Sequence, residues 1–188
     1  TLSRISGGTQ RSVGFFVQDL ITPAPNLTFT LAARVDRWRN YDGHNLETNL
    51  PSGTPGAGNR PTLPDRDDVV ASPRVAALYH ATRWLSLWGD LGWGFRAPTL
   101  NELYRQFRVG TVLTLANNQL GPERLVGGEL GVRITPLPNV SVRTTWYDNR
   151  VKDPVSNVTI ATAGATVTQQ RQNLGRTRIS GIQTDVEY

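Results

Sequence analysis

The sequence contains no cysteine, no methionine and only one lysine, Lys152, in 188 residues. Without cysteine, disulfides play no part in holding the fold together. There is no initiator methionine, and residues 1–9 do not form a charged start followed by an apolar core. The chain therefore reads as an internal piece of a longer protein. No run of 18 apolar residues occurs, which excludes a spanning helix but not a membrane barrel, whose strands show lipid only every second residue. Histidine is scarce: His44 and His80 lie far apart and lack partners at metal-ligand spacing. Asp65, Asp67 and Asp68 flank Arg66, but the row lacks the glycine and closing glutamate of a calcium loop, so it reads as a solvated acidic patch. There is no Gly-x-Ser-x-Gly elbow and no phosphate-cradling glycine context. No catalytic constellation, metal site or cofactor site is expected, and the protein reads as a non-enzyme.

Charge is the next constraint. Twenty basic residues against fifteen acidic ones give +5, and nineteen of the basic residues are arginine. They are dispersed and carry no nucleic-acid-binding motif, so nucleic acid is not an expected partner.

The sequence does contain alternation. Residues 11–21 read as a strand with Val13, Phe15 and Val17 on one side. After a Pro-rich turn at 22–26, Leu27, Phe29, Leu31, Ala33 and Val35 face one way, and Thr28, Thr30, Ala32, Arg34 and Asp36 the other. One face is apolar and one polar, and a slip of one residue would exchange them. Further strands are expected at 73–81, 84–95, 123–135, 140–150 and 178–188. Leu85, Leu87, Leu91, Val126, Leu130, Val132 and Ile134 lie on the apolar side; Asp90, Glu129 and Arg133 lie on the polar side. Trp38, Tyr41, Trp84, Trp93, Phe95, Trp146 and Tyr147 sit near strand ends, where they suit either an interfacial girdle or core packing.

The connections alternate too: short at 22–26, 82–83 and 136–139, long at 39–72, 96–121 and 151–176, the last with a hairpin of its own. Short turns at one end and long loops at the other are the asymmetry of outer-membrane barrels. Strands of ten to thirteen residues tilted by about 40° cross an apolar band of about 25 Å. The expected fold is all-β: an antiparallel up-and-down meander of seven strands, a section of a transmembrane barrel with long extracellular loops and short periplasmic turns. A passive channel or adhesin barrel, or a soluble β-sandwich binding module, would share the patterning.

Residues 93–104, WGFRAPTLNELY, are the pivot. Leu100, Leu103, Tyr104 and Phe107 keep helical spacing, and Thr99 with Glu102 forms a capping box. A short capped helix inside the loop is expected. This stretch, with Phe95, Arg96, Ala97, Pro98, Glu102, Leu103 and Tyr104, resembles the signature of TonB-dependent outer-membrane receptors. The likeness continues through Asn117, Asn118, Leu120, Pro122 and Glu123, then Glu129 and Gly131, then Trp146, Tyr147, Asn149 and Asp153. It ends at Asn173, Gly175, Arg178, Gly181 and Ile182.

The resemblance implies a barrel of about 22 strands with an N-terminal plug, of which residues 1–188 would be a partial barrel domain without the plug and the other strands. It implies a bacterial outer-membrane location, contact with outer-membrane lipid, and a small-molecule ligand, an iron–siderophore complex being the leading candidate. It also implies coupling to the inner-membrane TonB complex through the plug. Arg39, Tyr41, Tyr104, Arg105 and Arg108, with Phe107, would place guanidinium and aromatic groups on outer loops. Such groups suit an anionic aromatic ligand, or they are ordinary solvated loop residues.

Overall fold

A computed structural model describes residues 1–188. In chain order the elements are β1 (Leu2–Ala24), β2 (Leu27–Asn49), β3 (Arg66–His80), β4 (Leu85–Arg96), α1 (Leu100–Tyr104), β5 (Phe107–Val109), β6 (Val112–Leu115), β7 (Glu123–Leu137), β8 (Val140–Lys152), β9 (Val155–Ala163), β10 (Thr166–Asn173) and β11 (Arg176–Glu187). Seven strands form one antiparallel sheet in the order β1-β2-β3-β4-β7-β8-β11. The other four form a small sheet, β5-β6-β10-β9, in which β6 and β10 run parallel.

Register fixes the two faces, because paired residues of an antiparallel ladder share a side. Phe15, Val35 and Ala71 pair across β1, β2 and β3, and Leu31, Val75 and Leu91 across β2, β3 and β4. Leu130, Trp146 and Ile182 pair across β7, β8 and β11. This face has nothing over it: Leu31, Leu91 and Leu130 are 45%, 42% and 61% exposed. Only 11 of the 188 residues are buried, so the sheet is a single layer and not half of a sandwich. A wall with a bare apolar side has its counterpart solvent in lipid.

The opposite face is polar. Arg34 grips Asp36 through two hydrogen bonds of 2.6 Å, and Arg74 binds Asp90 at 2.8 Å. Two aromatic rings lie flat there over glycines of the adjacent strand. A Cβ on Gly131 would run into the Trp88 ring, and one on Gly181 would come within 2.7 Å of the Tyr147 hydroxyl. Trp88 is covered in turn by the Arg143 guanidinium, 4.5 Å from its ring centre. Tyr147 and Trp38 therefore belong to the inner face, not to the interfacial girdle, whereas Trp84, Trp93 and Trp146 are exposed.

Two expectations are corrected. The first is the loop placed at 39–72, which is mostly strand: β2 runs on to Asn49 paired with β1, and β3 begins at Arg66. Above the apolar band both faces are wet, so Gly, Asn and Asp replace alternation while the ladder continues. The second is the helix, which stops at Tyr104 and leaves Phe107 to open β5.

Candidate functional site: the joined loops at one end of the wall

The three long connections converge on the polar face. Leu103 and Tyr104 of α1 and Leu120 beyond β6 form a buried cluster, with Leu63, Leu100 and Val155 packed around it. Each connection thus contributes at least one side chain. The capping box is present: Glu102 N–H donates to the Thr99 hydroxyl at 3.3 Å, and Thr99 N–H to the Glu102 carboxylate at 2.8 Å. The box turns the chain sharply after buried Pro98, whose carbonyl accepts a hydrogen bond from Gln10 of β1.

Tyr104 then lies in a slot made by missing side chains. A Cβ on Gly8 or Gly43 would come within 2.9 or 2.7 Å of its ring. Its hydroxyl is buried without a hydrogen-bond partner, and burial, together with nearby Asp65, pushes its pKa up.

Arg96 is the hub of the polar part. It donates to both oxygens of Glu102 at 2.9 and 3.1 Å and to Glu123 at 2.6 Å. Glu123 also accepts from the Val155 amide at 2.8 Å. Asn173 completes the connection: its amide donates to the carbonyls of Gly121 and Asp153 and accepts from Gly121 N–H. Gly175, at φ +50°, turns the chain so that its carbonyl accepts from Asp153 N–H. Asn117 bonds to the carbonyl of Arg171, and Arg171 reaches back to the carbonyls of Asn101 and Arg105.

Of the residues singled out for ligand contact, Arg105 just before the small sheet and Arg108 within its strand β5 are exposed, and Tyr104 is buried inside the cluster. Arg39 pairs with Arg11 and Asp67 on the apolar side of β2, bonds Asp65 at 2.6 Å and sits 5.4 Å from the Tyr41 ring centre. The five do not meet in one place. Sequence reasoning missed Arg171, which lies over Phe107 at 5.2 Å. Its partners are 70 and 66 residues away, beyond any local pattern. The acidic row disperses, with Asp65, Asp67 and Asp68 each facing a different arginine.

Compared with known families, residues 2–188 match the one described as TonB dependent receptor-like, beta-barrel. The chain belongs to the TonB-dependent receptor family. Members reside in the bacterial outer membrane and are receptors and transporters, not enzymes. No curated protein matches the sequence. Among solved structures, the hemophore receptor HasR of Serratia marcescens, bound to its hemophore and heme, has a TM-score of 0.75 at 16% identity, over 95% of this chain and 32% of its own. The copper transporter OprC gives 0.73 at 18%, over 97% and 27%. The ferric yersiniabactin uptake receptor FyuA of Yersinia pestis gives 0.70 at 14%, over 98% and 25%. The chain spans about a third or less of each, and at these identities the likeness is one of fold.

In this TonB-dependent receptor wall the motif residues have structural roles. Phe95 pairs with Arg124 at the upper end of β4. Arg96, Glu102, Glu123 and Asn173 join the loops, Ala97 and Pro98 lead into the cap, Pro122 leads into β7, and Leu103 and Tyr104 fill the cluster. Glu129 pairs with Asp90 and Tyr147, while Gly131 and Gly181 make room for aromatic rings.

Arg96→Ala is expected to weaken the joined loops by about 1.5–2 kcal/mol, the low end for hydrogen bonds to charged groups because Arg96 is partly exposed. Hydrogen exchange at residues 99–120 should speed up by about tenfold or more, and unchanged protection would show that the hub is idle. A pH dependence follows. Burial of Glu102 acts to raise its pKa, but hydrogen bonds from Arg96 and Thr99 outweigh it and hold the value below the usual carboxylate range. The folded value lies below the unfolded one, so the contribution is complete above about pH 4.3. It is lost as pH falls through the folded value. Exchange at α1 should show no contribution from this group between pH 5.5 and 8 and accelerate in stronger acid; the reverse trend would exclude Glu102 as the titrating group.

Proposed function

We propose that this wall belongs to an outer-membrane receptor that takes up a scarce nutrient, a ferric siderophore, with TonB supplying the drive through a plug. The observation that carries the reading is the set of guanidinium groups at the joined loops. Arg105 just before the small sheet and Arg108 in its strand β5 are exposed, and Arg171 stacks on Phe107. None of the three sits in an ion pair, in contrast to Arg39 and Arg96. Unneutralised cations next to an aromatic ring favour an anionic ligand with flat donor groups, by charge-assisted hydrogen bonds and stacking. Structural neighbours are named for heme, copper and a ferric chelate, so one wall serves several cargoes and selection falls to the loops.

The test is uptake of radiolabelled iron–siderophore by cells that depend on the complete receptor. Arg105→Ala with Arg108→Ala should raise the half-saturating concentration about tenfold, each lost charged hydrogen bond being worth roughly 1.5–3 kcal/mol before solvent screening. Uptake of heme or copper with no ferric-chelate uptake would overturn the siderophore assignment.

A further inference from the structure

The connection between β8 and β11 leaves the wall through a strained peptide. Asp153 follows β8 directly and precedes Pro154, which leads into β9. No other aspartate in the chain stands before a proline. Asp153 is one of two non-glycine residues with positive φ, at 56°. A side chain disfavours that region, and a following proline ring pushes its predecessor toward extended backbone. Such strain persists only where the surroundings enforce it, and it collects at sites of chemistry.

Here hydrogen bonds enforce it. Asp153 N–H donates to the Gly175 carbonyl at 3.0 Å, and Leu174 N–H donates to the Pro154 carbonyl at 2.9 Å. Between these two clamps the Asp153 carbonyl accepts from Asn173 Nδ2 at 2.7 Å. The Asn173 amide is itself held, accepting from Gly121 N–H at 2.8 Å and donating to the Gly121 carbonyl at 3.1 Å. A fixed donor thus points at one carbonyl oxygen, the arrangement that stabilises negative charge developing there. The Asp153 side chain is 46% exposed, and the ammonium of Lys152 is 3.9 Å from its carboxylate, beyond hydrogen-bond length. The carboxylate is free to turn onto its own backbone carbonyl, and water reaches it.

We propose that the Asp153–Pro154 peptide is a self-cleavage site. A carboxylate oxygen of Asp153 attacks the carbonyl carbon of the same residue, and Asn173 Nδ2–H stabilises the oxygen that takes the charge. The bond to the Pro154 nitrogen then breaks. Its electron pair stays on that nitrogen, a tertiary amide nitrogen until then, which takes a proton from water and leaves as a free amine. Asp153 is left as a cyclic anhydride, and a water molecule opens it to two carboxylates. Nothing is oxidised or reduced. The cut ends stay in place: β8 remains between β7 and β11, β9 remains on β10, and Val155 N–H remains on Glu123 at 2.8 Å. What changes is the β8–β11 connection, which keeps one covalent stem and gains an amine at the mouth. The inference is independent of the cargo.

The complete receptor, purified and incubated at neutral pH with protease inhibitors, provides the test, read by mass spectrometry of its fragments. Pieces ending at Asp153 and beginning at Pro154 should accumulate at a rate that does not depend on protein concentration. Asp153→Gly suits positive φ and lacks the carboxylate, so it should stay whole. Asn173→Ala should slow the cut about hundredfold, the usual loss when one such donor is removed. Because Asn173 also joins the loops, wild-type receptor unfolded in urea supplies a second measurement, and it should be cut as slowly as Asn173→Ala. An intact wild-type chain, cleavage in Asp153→Gly, an undiminished rate in Asn173→Ala, or equal rates in folded and unfolded receptor would each overturn the proposal.

Discussion

Tyr104→Ala is expected to destabilise the joined loops by about 3–5 kcal/mol, the range for deleting a buried aromatic ring. The residue is 2% exposed and its ring rests on Gly8 and Gly43, two backbones that do not move together to fill the void. Tyr104→Phe should behave oppositely. The hydroxyl is buried with no partner, and an unmet hydroxyl costs about 1–3 kcal/mol. Its removal should leave stability unchanged or raise it by about 1 kcal/mol. Native-state hydrogen exchange across residues 99–122 separates the two variants. Equal losses in both would mean that the hydroxyl has a partner and that the slot is not a purely steric fit.

The second large effect concerns the bare side of the wall. Leu130 lies mid-strand, pairs with Gly89 and Trp146, and is 61% exposed. Leu130→Arg should cost about 2–4 kcal/mol in a bilayer, the penalty for a cation on the lipid face at mid-depth. Gln183→Arg, on the inner face where Gln183 pairs with Thr145, should stay within about 0.5 kcal/mol, as surface changes do. Denaturant titration of the complete barrel folded into vesicles measures both. If the two substitutions cost the same, the apolar side does not meet lipid.

How much of this was legible in the sequence depends on the distance over which each feature is encoded. The two faces were readable because a period of two is local and lipid demands apolar residues on one side: Leu31, Leu91 and Leu130 are where alternation put them. The capping box was readable for the same reason, Thr99 and Glu102 being three residues apart. The upper halves of β2 and β3 were not. Outside the membrane a ladder needs no apolar stripe, and Gly, Asn and Asp there look like loop. The hub was only half visible. The motif picked out Arg96, Glu102, Glu123 and Asn173, but that one guanidinium serves two carboxylates, 6 and 27 residues away, is a tertiary fact. The parallel pairing of β6 with β10 joins segments more than fifty residues apart, and nothing in either segment announces the other.

The turns at Gly53, Gly110 and Gly164 have φ of +68°, +56° and +57°, with open space where each Cβ would be. They are the tips of loops whose stems are fixed by the cluster and the Arg96 hub. Tolerance for added sequence therefore falls at these three points. A short epitope or dye-binding tag spliced in at Gly164 should report on the outer surface of living cells without slackening the mouth, whereas the same insertion a few residues down either stem would pull the connections apart.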